Sequence, residues 1–361
     1  MKIGIFTFMQ SNYGAILQAT ALRLFLKDEL DADVEVINFT TDSHLADNKV
    51  IKKRSPVFLK NIYYFLFSLL RYGQLSTRKR KTELFKSSYL NLSQRYKTVK
   101  ELLDNPPKED IYITGSDQVF NPGKDYLPVY FLGFDKGGGR KVAYSPSFGI
   151  SSFSDSFEKD IAQYLKDFDF LSCREQSGSD FIAKIIGKEI PTLLDPVTLL
   201  SKEQWSSLAK SSYNGKGYIF VYNLNGGYDL IHYANLLKQK VGLRIICLAS
   251  NITHFYNVDS QIYNAGPAEF LGYIRDAKYV ITDSFHGTMF SLIFNKKFST
   301  LISTPSTSSR ITNILGKLEL QDHISFSPTE IDFESISKNY SVDFEKLSNA
   351  SKIYLRKSCS I

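Results

Sequence analysis

Apolar and polar positions alternate along the chain in element-sized blocks. The run KIGIFTF (2–8) gives way to a polar loop, MQSNYGA, and then to ILQATALRLFLKDEL (16–30). In that third block Leu17, Ala21, Leu24 and Phe25 recur at spacings that share one helix face. DVEVINF (33–39) then reads as a second strand, so the chain opens as strand, loop, helix, strand, the start of an α/β domain. Further strands are predicted at IYIT (111–114), KVAYS (141–145) and FDFLSC (168–173), with a strand and turn at PTLLDPVTLL. A second series starts near Gly217: GYIFVYNLN, LRIICLAS, AKYVITD and KFSTLIS as strands, with YDLIHYANLLKQKVG, PAEFLGYIRDA and SFHGTMFSLIFNK as helices between them. Gly242 closes the first of these helices, a common stop. The pattern predicts an α/β chain of two doubly wound, Rossmann-like domains facing a cleft. Their expected bounds are 1–195 and 196–330, with a helical tail at 331–361 that packs back on the first domain.

In open α/β sheets ligands lie off the carboxyl ends of the strands. Four polar clusters fall at such junctions: SNYGA, TGSDQ, SCREQSG and TDSFHGT. Turn chemistry accounts for their Gly, Ser and Asn. It does not account for an Arg, a His and repeated Asp at the same corners.

In TDSFHGT, Asp283 or Ser284 can cap the following helix, and Thr288 fits the same local role. His286 is left over. Helix N-termini favour anions, and an imidazole there can bind one and exchange a proton near neutral pH. Gly287 would let a ligand approach the backbone. In SCREQSG, Arg174 has the planar fork that suits a carboxylate or phosphate, or it forms an ordinary ion pair of little energetic weight. Asp117 of TGSDQVFN is either a cap or Asx turn, or, beside Gln118 and Asn121, a binder of sugar hydroxyls and a proton acceptor. Gly14 suits the tight turn into the first helix, and Asn12 and Tyr13 are candidates to line the cleft. The glycine clusters at 137–139 and 225–227 lack dinucleotide-fingerprint spacing, and no Walker loop, HExxH, GxSxG or nucleic-acid module occurs.

The 361 residues suffice for two cores, and 22 Tyr and 27 Phe make those cores aromatic. The net charge of +7 suits either solubility or anionic partners. Cys173, Cys247 and Cys359 are scattered, which predicts neither a disulfide framework nor a zinc site and fits a reducing compartment. The opening apolar stretch is too short for a secretory signal, and no run is long enough to span a bilayer. The expected location is the cytoplasm, at or near the inner face of the membrane. One segment bears on that face. In residues 52–81, an aromatic-aliphatic block from Val57 to Leu70, interrupted by Lys60, lies between basic clusters. It reads either as a buried helix with a charged linker or as an interfacial helix on anionic lipid.

Taken in order, NYGAILQATAL, TGSDQVFN, SCREQSG, LLDPVTLL and TDSFHGTMFSL resemble the polysaccharide pyruvyl transferases, over about residues 3 to 315. The resemblance implies two Rossmann-like domains in a GT-B-like arrangement. It implies transfer of the pyruvyl group of phosphoenolpyruvate to a hexose of a surface polysaccharide or its lipid-linked precursor. The product is a cyclic ketal and the leaving group phosphate, with no metal or organic cofactor. On this likeness the donor falls to Arg174, Ser284, Phe285, His286, Gly287 and Thr288, with His286 as the acid–base group or as the group that protonates departing phosphate. The acceptor falls to Asn12, Tyr13, Gly14, Ser116, Asp117, Gln118 and Asn121, with Asp117 as base. Some members carry arginine where this chain has Ser284; Arg310 is the expected substitute. A nucleotide-sugar glycosyltransferase and a non-catalytic glycan- or membrane-binding protein are the competing functions, since fold alone does not choose among them.

Overall fold

A computed structural model describes the chain except residues 10–11, 43–57, 124–125, 135–137, 212, 214, 216, 250–253, 303–304 and 361, and except the side chains of 58–60 and 305–309. It divides into two compact units, and the division is not linear. One unit is Met1–Asn48, Lys86–Leu200 and Phe344–Ile361; the other is Lys49–Phe85 and Ser201–Asp343. The segment up to Phe85, expected within the first domain, therefore belongs to the second. Of the expected tail, only the part from Phe344 belongs to the first.

The first unit holds five parallel strands, β1 (Lys2–Phe6), β2 (Asp33–Phe39), β3 (Leu92–Tyr96), β4 (Ile111–Thr114) and β5 (Arg140–Ala143), in the order β3-β2-β1-β4-β5. The second holds six, β6 (Tyr218–Asn223), β7 (Arg244–Ala249), β8 (Ser260–Ile262), β9 (Tyr279–Thr282), β10 (Lys297–Leu301) and β11 (Ile324–Ser325), in the order β11-β10-β9-β6-β7-β8. Both follow the Rossmann order 3-2-1-4-5(-6), read from one edge or the other. The order in which successive strands are added reverses across each sheet between β1 and β4, and between β6 and β9. The predicted corners SNYGA and TGSDQ flank the first switch point, and TDSFHGT lies at the second.

The central strands read as continuous apolar runs because both faces are covered; β4, β6 and β9 are buried throughout. FDFLSC does not become a strand. It runs extended beside β5 and makes only single bridges, Val142 to Phe170 and Cys173 to Thr192. The core of the first unit is aromatic: Phe120 stacks on Phe131 at 4.0 Å, and Phe148 meets Phe153, Phe157 and Phe181. The tail helix Phe344–Cys359 packs onto this unit, with the Tyr354 hydroxyl donating to Ala143 O at 3.0 Å and Arg356 pairing with Glu29 at 2.6 Å. Among the described residues no helix is long and apolar enough to cross a membrane.

The same unit contains a carboxyl pair. A Cβ on Gly4 would meet the Glu109 side chain at 2.8 Å, so only glycine admits it here. Burial raises both Glu35 and Glu109, and with Glu35 beside it Glu109 is pushed up to about 7. A carboxyl raised in the folded state contributes its stability fully below the unfolded value and loses it as pH rises through the folded one. Glu109→Gln should therefore be neutral near pH 4 and stabilising by about 1 kcal/mol above pH 7, a figure reduced for solvent screening at this half-exposed site. Thermal unfolding at the two pH values checks this; an equal effect at both contradicts it.

Candidate functional site

The corner of the first unit is built on backbone strain and buried charge. Thr7, just past β1, donates its hydroxyl to Ser116 O at 2.7 Å. Gln18 on the helix Tyr13–Leu30 donates to Thr7 Oγ1 at 2.8 Å, which ties the loop after β1 to the loop after β4. Asn12 caps that helix by accepting from Gly14 N at 2.9 Å. Tyr13 is fully buried, so it serves the core and not a binding surface.

Asp117 has φ 76°, the left-handed region, which Asp tolerates at a cost. Its carboxylate accepts from Gln118 N at 2.8 Å, and its carbonyl accepts from Val119 N and Ser147 N, both at 2.8 Å. The half-exposed side chain is thus held at the mouth of the corner. Asn121 spans loops instead, donating to Phe148 O and accepting from Gly123 N. Gln118 lies against Gly149, whose φ of +69° and crowded Cβ direction leave room only for glycine.

Arg174 is buried, and its charge is already committed. Its Nη1 contacts Asp195 at 2.8 Å and its Nε lies 3.5 Å from Glu175. Burial works against the guanidinium, but Glu175, Asp195 and Asp117 outweigh it and hold the pKa above its usual value. Ser116 Oγ lies 3.4 Å from both Arg174 Nη1 and Asp195 Oδ2. Glu175 in turn accepts from the Ser147 hydroxyl. One cation facing three carboxylates is a poor anion clamp. Through Ser116 and Asp195, Arg174 also ties the loop after β4 to the LLDP segment, so the donor contact expected of it competes with acids already in place. Asp195, Glu175 and Ser147 were not singled out from sequence; Asp195 stands in the conspicuous LLDP, but nothing local marks its partner 21 residues away. The glycine of SCREQSG is also structural, since a Cβ on Gly178 would meet Cys173 Sγ at 2.4 Å.

The second unit brings a different set together. Asp283, just past β9, accepts from Leu224 N at 2.7 Å and Asn225 N at 2.9 Å, which pins the loop after β6. Burial raises its pKa against the pull of those N–H groups. Asn223 closes the same loop, accepting from Gly226 N and donating to Gly227 O. The NGG element is therefore a tight turn. With Asp283 occupied, Ser284 is the cap of the helix Phe285–Ile293, its hydroxyl accepting from Gly287 N at 3.3 Å. Thr288 is fully buried, bonded to Ser284 O and Thr300 Oγ1, and so belongs to the scaffold. Gly287 makes room for the strand and not for a ligand: a Cβ there would lie 2.4 Å from Thr282 Oγ1.

His286 sits in the first turn of this helix, 6% exposed, with the Phe285 ring edge-on to it at 5.2 Å. The Arg310 guanidinium lies 5.7 Å from the same Phe285 ring, within reach of a cation–π contact. An imidazole, a guanidinium and the positive end of a helix dipole thus gather around one aromatic side chain. Such groups have the charge and proton-exchange chemistry that suit a small anion.

These corners carry a family assignment. The polysaccharide pyruvyl transferase model matches residues 12–303, from the cap of the first helix to two residues past β10, and the chain belongs to that family. No curated protein matches the chain by sequence. Among solved structures it is similar to the UDP-N-acetylglucosamine 2-epimerase of Rickettsia bellii, at 9% identity and a TM-score of 0.57, over 99% of this chain and 95% of that one. It is also similar to the UDP-GlcNAc 2-epimerase of Methanocaldococcus jannaschii in complex with UDP-GlcNAc and UDP, at 12% identity and a TM-score of 0.54, over 98% and 99%. At such identities the likeness concerns the fold, which is GT-B-like, with two Rossmann-type sheets in one chain.

Proposed function

We infer that the protein transfers the pyruvyl group of phosphoenolpyruvate to two hydroxyls of a hexose in a surface polysaccharide or its lipid-linked precursor. The single observation that supports this best is the grouping of His286, Phe285 and Arg310 at the start of a helix in a chain of this family. The donor carries a carboxylate and a phosphate. Arg310 and the helix N-terminus attract them, and Arg310 takes the part expected of an arginine at position 284.

His286 as imidazolium protonates the methylene carbon. The double bond opens toward that carbon and leaves C2 cation-like. One sugar hydroxyl attacks C2 and gives up its proton, for which Asp117 is the acceptor-side base. The C2–O bond to phosphate then breaks and phosphate departs with the electron pair. The second hydroxyl adds to C2 and loses its proton, which closes the ketal. Atoms and electrons balance with phosphate as the only other product, so the step consumes no oxidant or reductant.

Incubation with phosphoenolpyruvate and a panel of hexose-containing glycans tests the reading. Inorganic phosphate should appear together with a glycan heavier by pyruvic acid less one water. Stabilisation by UDP or GDP, with none by phosphoenolpyruvate and no phosphate release, would favour a nucleotide-sugar glycosyltransferase instead.

A further inference from the structure

Among the described side chains, the helix Phe58–Leu70 packs by one face. Tyr64 and Phe67 turn toward the rest of its own unit, the second, where they join Leu75 and Tyr263 in a small apolar cluster, and Arg71 lies over the Tyr263 ring at 4.9 Å. The opposite face carries Ile62, Phe65, Leu66, Leu69 and Leu70, spaced at i, i+3, i+4, i+7 and i+8. A helix repeats every 3.6 residues, so these side chains form one stripe. Their exposures run from 40% for Ile62 through 49%, 51% and 55% to 84% for Leu70. Ordinary surface helices point such a stripe inward; a contiguous apolar face in solvent marks an interaction surface.

The charge around it indicates the partner. No Asp or Glu occurs between Asp47 and Glu83. The run TRKRK, a charged linker in the first of the two readings, is part of a second helix, Tyr72–Tyr89. Two of its cations are used internally: Arg78 donates to Ala249 O at 3.2 Å and Lys81 pairs with Glu269 at 2.9 Å. Those contacts hold the helix to the unit, while Lys79 and Arg80 stay exposed. The basic residues 52–54 and Val57 lie outside the described residues and are not needed.

We propose that Phe58–Leu70 is an interfacial helix that seats its outer apolar face in an anionic lipid bilayer surface, with Lys79 and Arg80 contributing electrostatic attraction. An aliphatic and aromatic stripe without acids, followed by exposed cations on the next helix, matches the acyl and phosphate layers of such a surface. The helix does not span the bilayer.

Co-sedimentation of the full chain with vesicles of phosphatidylcholine alone, and of phosphatidylcholine with phosphatidylglycerol, tests this. Wild type should bind the anionic vesicles and barely the neutral ones, more weakly as salt rises. The triple variant Ile62→Ser, Leu66→Ser, Leu69→Ser should lose at least tenfold in affinity. Because these side chains point outward, its circular dichroism and melting temperature should match wild type. Lys79→Ala with Arg80→Ala should cost roughly tenfold and flatten the salt dependence. Absence of wild-type binding, equal binding to neutral vesicles, or undiminished binding by a folded triple variant would overturn the proposal. So would a stable dimer that the triple variant abolishes, since the face would then be a self-association surface.

Discussion

The His286→Ala protein should fold normally and release phosphate from phosphoenolpyruvate roughly 10²- to 10⁴-fold more slowly than wild type, the span that a positioned acid–base group contributes. Normal folding is expected because the helix start is held by Ser284, Thr288 and the close approach of Gly287 to Thr282, none of which involves the imidazole. His286→Gln separates the possible roles. Glutamine can still donate a hydrogen bond but carries no transferable proton, so kcat should stay low while KM for phosphoenolpyruvate stays near that of wild type. Near-wild-type kcat in the glutamine variant would make His286 a binding group only. Steady-state phosphate release on both variants, with melting curves as the folding control, decides this.

Arg174→Ala should instead be felt as instability. Removing the guanidinium leaves Asp195, fully buried, and Glu175, nearly so, without their cation. Breaking a buried ion pair from one side costs about 3–5 kcal/mol. For a unit of this size that lowers Tm by about 10 °C. The double variant Arg174→Ala, Asp195→Asn should recover part of the loss, since the stranded charge is also gone. Differential scanning fluorimetry on the three proteins checks the order. An Arg174→Ala protein with unchanged Tm and a raised KM for phosphoenolpyruvate would return this residue to direct donor binding.

The contrast between these two residues shows what the amino-acid order makes legible. Motifs at strand ends locate both corners, because a β-to-α turn has local chemistry: Ser284 and Asn12 are caps, and Gly287 stands where a Cβ has no room. Long-range commitments were hidden. Arg174 reads as a fork for an anion until Asp195 is found against it, and Asp283 reads as a cap until the amides of Leu224 and Asn225 are found on its carboxylate. Thr288 and Tyr13 carry polar groups that suit a site, yet both are buried among their own elements. By its place in the chain, the segment ending at Phe85 points to the first domain. Its contacts, Lys81 to Glu269 and Phe67 to Tyr263, cross nearly two hundred residues and follow no local period. Arg310 is the opposite case: only the family resemblance points to it, and its guanidinium lies 5.7 Å from the Phe285 ring.

The central claim concerns which carbon receives a proton, and it is tested most directly in heavy water. Wild-type protein, phosphoenolpyruvate and the accepting glycan, incubated in D₂O, should yield a ketal whose methyl group carries one deuterium, together with one phosphate per ketal. His286→Ala should give neither at a comparable rate. A glycan that gains a sugar in place of the pyruvyl ketal, or a ketal whose methyl group carries no solvent deuterium, would contradict the account.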